Sequence, residues 1–323
     1  MSRARRIDTH QHVVPPRYAA WLHEKGIRPG GVDLPSWSER SALKFMDGND
    51  IQTGILSLTI PGVYFGDVPE ARRWAREINQ FCAEIVQRRP DRFGFFATLT
   101  LPDVDGALAE AEYALDVLHA DGIVLLANND GRYLGDPGFQ PLLELLHQRE
   151  ATVFIHPGEL PAPDVPGLPS FTADFLLDTT RTAISLILSG SMKRYPGIKF
   201  ILAHAGGFVP YIAYRILLTM LNDKNKLQQA WTLIDQKHQV PKHLAVLKQF
   251  YYDIALSSTP AALPSLLEVA DPDHITYGSD FPFAPAPAIG FLTKQYENYP
   301  LDPKLREAID RGNAEALFPR LKG

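Results

Sequence analysis

Eight strand-length runs of apolar residues recur along this 323-residue chain, and the stretches between them are long enough for helices. The runs are Arg6–His12, Thr53–Thr59, Phe93–Leu99, Gly122–Leu126, Thr152–His156, Lys199–Ala203, Phe250–Ile254 and Ile275–Gly278. Several are almost continuously apolar, as strands covered on both faces are. Between them, Val68–Arg89 carries apolar residues three and four apart. Val104–His119 does the same through Leu108, Ala111, Leu115 and Leu118, starting after Pro102-Asp103 and stopping before Asp121-Gly122. Phe175–Tyr195 reads as a long helix that Pro196-Gly197 should end. Strand and helix alternating with eight strands is the count of a closed (β/α)8 TIM barrel. A doubly wound open sheet normally has fewer strands and often a glycine-rich phosphate turn after the first. Here the first strand runs into His10, His12 and Pro15-Pro16 instead. The expectation is one α/β barrel domain over residues 1–323.

Four of the runs stop at an imidazole or a carboxylate: Asp8-Thr-His10-Gln-His12, Val153-Phe-Ile-His156, Phe200-Ile-Leu-Ala-His204 and Ile275-Thr-Tyr-Gly-Ser-Asp280. In a barrel, the C-terminal ends of all strands converge on one mouth, whatever their separation in sequence. Residues two apart on a strand point to the same side, so His10 and His12 can reach one ion. His156 ends its strand sharply before Pro157-Gly158, and His204 precedes Ala205-Gly206-Gly207, a loop through which backbone can approach a ligand closely. A carboxylate at the end of so apolar a strand needs a charge partner, and for Asp280 a metal supplies one. The competing use of Asp280 is as the cap of a following turn. Imidazole and carboxylate together are ligands for Zn²⁺ or Mn²⁺. The remaining histidines, His23, His119, His147, His238, His243 and His274, fall in helices, helix ends or loops away from the expected mouth.

Bulk properties exclude several classes. The formal net charge is −5, so nothing invites nucleic acid. Arg3, Arg5 and Arg6 read as a solvated basic start. The single cysteine, Cys82, cannot form an intrachain disulfide, and it falls on a helical face with Trp74, Ile78, Phe81 and Ile85 as a core thiol. No apolar run reaches membrane-spanning length and no signal peptide precedes the first strand, so a soluble cytoplasmic protein is expected. Three segments exceed ordinary loop length: Val13–Ser36, Ile60–Asp67 and Pro157–Ala173. Long loops at the strand ends of a barrel shape its active site.

With these residues in hand, the chain resembles the amidohydrolase superfamily over nearly its whole length. The first-strand Asp-x-His-x-His, the fifth-strand His, the sixth-strand His and the eighth-strand Asp occur in order. Asp178-Thr179-Thr180 with Ser189-Gly190, His204-Ala-Gly-Gly207 with Pro210 and Arg215, Tyr252-Asp253-Ile-Ala-Leu-Ser257, Gly278-Ser-Asp-Phe-Pro-Phe283 and Gly312-Asn313-Ala314 look most like the decarboxylase branch. That branch is typified by aminocarboxymuconate-semialdehyde decarboxylase. The resemblance implies a barrel of the metal-dependent hydrolase type. It implies that His10, His12, His156 and Asp280 bind one divalent ion, Zn²⁺ first and Mn²⁺ second, with no organic cofactor. The fourth strand, Gly122 to Asn128, has no Lys, Glu or Asp to bridge a second ion. His204 would lie just outside the metal, moving a proton, and Asp280 could also handle it. Arg215 would reach a substrate carboxylate in the neighbouring subunit of a homodimer, its alternative being a helix-surface Arg. Arg40 and Lys44 are both near the place of a second carboxylate-binding residue. Neither aligns cleanly with it.

The activity implied is non-oxidative decarboxylation of a small aromatic or enol carboxylic acid, a carbon–carbon lyase reaction. The rival is metal-dependent hydrolysis by a lactonase, amidase or deaminase, which His156-Pro-Gly-Glu159 sharpens: adenosine deaminases carry a catalytic Glu three residues after the fifth-strand His. Those enzymes also have two adjacent Asp after the eighth strand, whereas Phe281 follows Asp280 here. A non-catalytic binding barrel is a third reading. Tyr64, Phe65, Trp21, Trp37, Phe281 and Phe283 lie near the expected mouth and could line an aromatic pocket or pack the loops.

Overall fold

A computed structural model describes residues 4–220 and 242–322. The described residues form ten strands: β1 (Arg6–His12), β2 (Ile51–Ser57), β3 (Phe93–Thr98), β4 (Gly122–Leu126), β5 (Asn128–Asn129), β6 (Arg132–Tyr133), β7 (Thr152–His156), β8 (Lys199–Leu202), β9 (Tyr251–Asp253) and β10 (Ile275–Thr276). Eight of them pair in parallel in the order β1-β2-β3-β4-β7-β8-β9-β10. The seam between β10 and β1 is bridged by backbone bonds from Thr9 to Tyr277, from Asp280 to His10 and from His12 to Phe281. The result is the expected eight-stranded barrel. The β5–β6 hairpin is an antiparallel excursion after β4 that the sequence does not announce.

Two apolar layers hold the barrel. Ile7, Ile55, Phe96, Val124, Phe154 and Ile201 point inward and fill its interior. Leu317, Phe318 and Leu321 plug its lower end, with Phe318 and Phe96 rings 5.8 Å apart. The alternate residues face out onto helices. On α3 (Val68–Arg88), Trp74, Ile78, Cys82 and Ile85 are buried as expected, while Phe81 is half-buried. The helices start where their caps direct: the Asp67 carboxylate accepts from the Glu70 amide, and Asp103 from Gly106 at the head of α4 (Val104–Asp116).

One helix departs from expectation. The stretch read as Phe175–Tyr195 begins earlier and breaks, giving α6 (Ser170–Leu188) and a short α7 (Ser191–Arg194). Gly190, at φ +76°, makes the break, and its left-handed backbone suits glycine. The early start matters because it carries Phe171 to the mouth beside Phe175. No helix among the described residues is long and apolar enough to cross a membrane.

Candidate metal centre and active site

β1 ends with His10 and His12 fully buried, and β7 ends with His156 beside them. Ring centroids of His12 lie 4.8 Å from both His10 and His156. Asp280 arrives from the loop after β10 in a left-handed conformation, φ +63°. Non-glycine residues rarely adopt it, and such strain collects where a side chain must be aimed. Its Oδ1 stands 3.0 Å from His12 Nε2 and 3.5 Å from His10 Nε2, while those two nitrogens are 3.1 Å apart. One ligand atom each from His10, His12, His156 and Asp280 lies within 4.8 Å of the others.

Neighbours fix which nitrogens face inward. His10 Nδ1 donates to Asp253 Oδ2 at 2.9 Å. His12 Nδ1 donates to the Ser57 hydroxyl at 3.0 Å, and His156 Nδ1 to the Pro157 carbonyl at 2.8 Å. Each bond pins its ring and turns its Nε2 to the centre, where His12 and His156 present a lone pair and His10 presents one once its proton is lost. Ligands about 2.0–2.2 Å from one ion stand roughly 3.0–3.5 Å from each other. The observed spacings match, so the cluster could hold one divalent ion.

The electrostatics agree. Burial lowers His12, and burial with the three other imidazoles holds His156 well below its ordinary range, so both stay neutral ligands. Burial alone would lower His10 too, but the Asp253 and Asp280 carboxylates outweigh it and push it up to about 10. Burial would raise Asp280, yet bonds from His10, His12 and His204 keep it ionised, well below the usual carboxylate range.

His204 sits beside the cluster, its ring centroid 4.9 Å from His10 and its Nε2 3.5 Å from Asp280 Oδ2. Its backbone is also left-handed, φ +55°, and its amide donates to Asp253 Oδ1. Its Nδ1 is buried without a hydrogen-bond partner. The site opens into a cavity of about 550 Å³ that includes His156, His204, Asp280 and Phe283 in its walls.

A family model described as amidohydrolase matches residues 7–320. The chain belongs to the amidohydrolase family. Decarboxylase yanB of Aspergillus niger is 38% identical over 98% of this chain and 88% of its own length. The 6-methylsalicylic acid decarboxylase of Penicillium expansum is 37% identical over 98% of this chain and 97% of its own. A solved structure titled amidohydrolase II has a TM-score of 0.87 at 31% identity, covering 97% of this chain and 99% of that one. Within the superfamily, this amidohydrolase falls in the aromatic-acid decarboxylase branch.

Some expectations about the site need correction. Of the six candidate aromatics, only Phe283 lines the large cavity; Tyr64 lines a smaller one of about 80 Å³ beside Thr59. Trp21 stacks on Trp74, with Phe65 against it, while Phe281 stacks on Phe45 and Trp37 packs near Phe81. These four are loop packing. Phe171 and Phe175 of α6 take the places expected of them. Arg40, Lys44 and Arg215 are exposed and line neither cavity of their own chain. Glu159 is exposed too, and its carboxylate accepts from the Gly30 amide at 3.1 Å, a latch between two loops rather than a catalytic base. His23 and His119 are exposed, His147 accepts from the Gly197 amide, and His274 stacks on Tyr251 at 3.9 Å. His238 lies outside the described residues, and nothing of the His243 side chain is described.

Asp253, Ser57 and Thr59 were given no role by sequence reasoning. The Thr59 hydroxyl lies 2.9 Å from His156 Nδ1. Period two along the second strand places Ser57 and Thr59 on one side, which was the available signal. Asp253 likewise ends β9, as His12 and His156 end their strands.

Proposed function

We propose that the chain is a metal-dependent, non-oxidative decarboxylase of a salicylate-type acid, a benzoic acid with a hydroxyl beside its carboxyl group. One observation carries this reading: among the residues lining the cavity there is no Lys or Arg, so a cation held at His156 and Asp280 is the one centre of positive charge this lining could offer a carboxylate. The acid end of a substrate is therefore drawn to the cluster. A divalent ion held by His10, His12, His156 and Asp280, Zn²⁺ or Mn²⁺, supplies a Lewis acid and a template for a carboxylate with an adjacent hydroxyl.

The chain's own residues handle the proton. Asp280 is ionised, so it accepts the substrate hydroxyl proton and can return it to the ring carbon that bears the carboxylate. As the carbon–carbon bond breaks, its electron pair stays on that carbon, which takes the proton, and CO2 leaves. The phenolate then regains a proton from water. His204 holds the Oδ2 of Asp280 and so fixes the direction of transfer. No electrons enter or leave, so no organic redox cofactor is required.

The test is CO2 release from 6-methylsalicylate in D2O by protein loaded with Zn²⁺ or Mn²⁺. We expect 3-methylphenol with one deuterium at the former carboxyl position, and roughly 10²-fold slower release by His204→Ala that still binds metal. Hydrolysis of lactones or amides with no release of CO2 from any hydroxybenzoic acid would overturn the reading.

We also propose a homodimer in which Arg215 meets the carboxylate in the partner's site. Tyr211, Tyr214 and Leu218 stand 85%, 51% and 57% exposed around it, an apolar face suited to a second copy. A guanidinium fork binds a carboxylate with two parallel bonds. Arg215→Ala and His10→Ala should each be nearly inactive alone and regain activity when their subunits exchange. A mixture that stays inactive after proven exchange removes Arg215 from the site.

A further inference from the structure

The cavity is larger than a methylated salicylate requires. Its volume of about 550 Å³ falls in the range of pockets that enclose drug-sized ligands of roughly 300–1,000 Å³. His156, His204 and Asp280 stand together at one end; Asp33, Thr59, Thr172 and Ser257 are the other polar residues of the lining, and the Asp33 carboxylate, 87% exposed, turns outward to Arg28 at 3.0 Å. Away from that end the wall is built by Val32 and Pro35 from the loop after α1 (Pro16–Glu24), Phe171 and Phe175 from α6, and Leu256.

This apolar wall continues to the surface: Phe171 is 59% exposed, Val32 42% and Leu256 40%. It is also a formed wall. The loop is tied down where the Gly30 amide donates to Glu159, and Gly30 itself packs on Phe175 so closely that a Cβ there would stand 3.3 Å from the Phe175 ring. A small polar acid bound at the cluster leaves this surface in water. An apolar chain on its ring would cover it, and each buried methylene is favourable.

We propose that this wall is a subsite for an extended apolar substituent, so the preferred substrate is a salicylate-type acid bearing a linear or branched hydrocarbon chain several carbons long. The inference rests on the decarboxylase reading and deepens it. The substituent lies along Phe175 and Phe171, with Val32 and Pro35 closing over it.

Two measurements test it. The first is steady-state turnover of salicylates carrying hydrogen, methyl, propyl, pentyl or heptyl at position 6, and separately at position 4. In one of the two series KM should fall about three- to fourfold for each methylene that becomes fully buried. Phe171→Ser should lower the heptyl-to-methyl ratio of kcat/KM by about tenfold or more. The second is calorimetric binding of the matching 3-alkylphenols, which needs no turnover and should show the same chain-length dependence. Turnover of the methyl acid with no gain from longer chains, and phenol affinities independent of chain length, would overturn the subsite and leave the decarboxylase intact. Chain-length-dependent phenol binding without CO2 release from any acid would support the subsite and refute the decarboxylase reading.

Discussion

Strand β1 buries charge-bearing side chains at both of its ends, and the two ends are finished differently. At the lower end Arg6 is 3% exposed, and each of its three guanidinium nitrogens has a partner: Nε bonds Asp310 at 2.9 Å, one terminal nitrogen Glu297 at 2.6 Å and the other the Asn49 carbonyl. At the upper end His10 and His12 each have one ring nitrogen satisfied and the other aimed at its twin and at Asp280. A buried polar group left facing others of its own kind costs free energy unless something fills the gap. The lower end is complete within the chain. The upper end is left open at a cluster that could hold one ion, and the contrast falls within seven residues.

The sharpest way to break the comparison is to cut each end. His12→Ala should abolish metal binding and activity while costing the metal-free protein less stability than Arg6→Met, because the partner its Nδ1 leaves behind, the Ser57 hydroxyl, is neutral. Arg6→Met should do the reverse. It strands Asp310, which burial already pushes upward, at a cost of about 3–5 kcal/mol in chemical denaturation, with little change in kcat of the folded fraction. Equal loss of stability from both variants would erase the distinction.

A smaller effect sharpens the upper end. Asp253 touches no substrate, but it holds His10 Nδ1 and receives the amides of His204 and Ala255. Asp253→Asn keeps the shape and removes the charge. Metal affinity or kcat should fall by about 10–100-fold, with His10 moving down toward its ordinary range. Unchanged metal affinity and unchanged rate would make Asp253 a structural residue only.

The same contrast explains what could be read from sequence. Strands β1, β4 and β7 were legible to the residue because apolar runs end there, at His12 and His156 in β1 and β7 and just before the polar Asn128-Asn129 in β4. β2 begins two residues before its expected start, since Gln52 interrupts the apolar signal after Ile51 while the backbone already pairs with β1. The metal-type residues were legible because a barrel forces strand ends together. Asp253 was not, because its partner His10 lies 243 positions away and nothing local reports the pairing. The start of α6 was hidden for a related reason: Phe171 faces the cavity rather than the core, so the helical period is picked up only at Phe175. Trp21, Trp37 and Phe281 misled because residue type alone does not separate an aromatic that meets a ligand from one that packs a loop.

The central claim, a one-ion centre at the mouth, is tested most directly by titrating chelator-stripped protein with Mn²⁺ or Zn²⁺ at pH 7 in calorimetry, in two buffers of different ionisation enthalpy. His12 and His156 are shifted down and enter neutral, Asp280 is already ionised, and only His10, held near 10 in the metal-free cluster, must give up a proton. Because His10 is protonated below its raised value, metal affinity should rise with pH, by about tenfold per unit, until that value is passed. The account predicts one ion per chain, about one proton released per ion, and decarboxylase activity rising in step to the same end point. Two ions per chain, no proton released, or full activity before any ion is bound would contradict it.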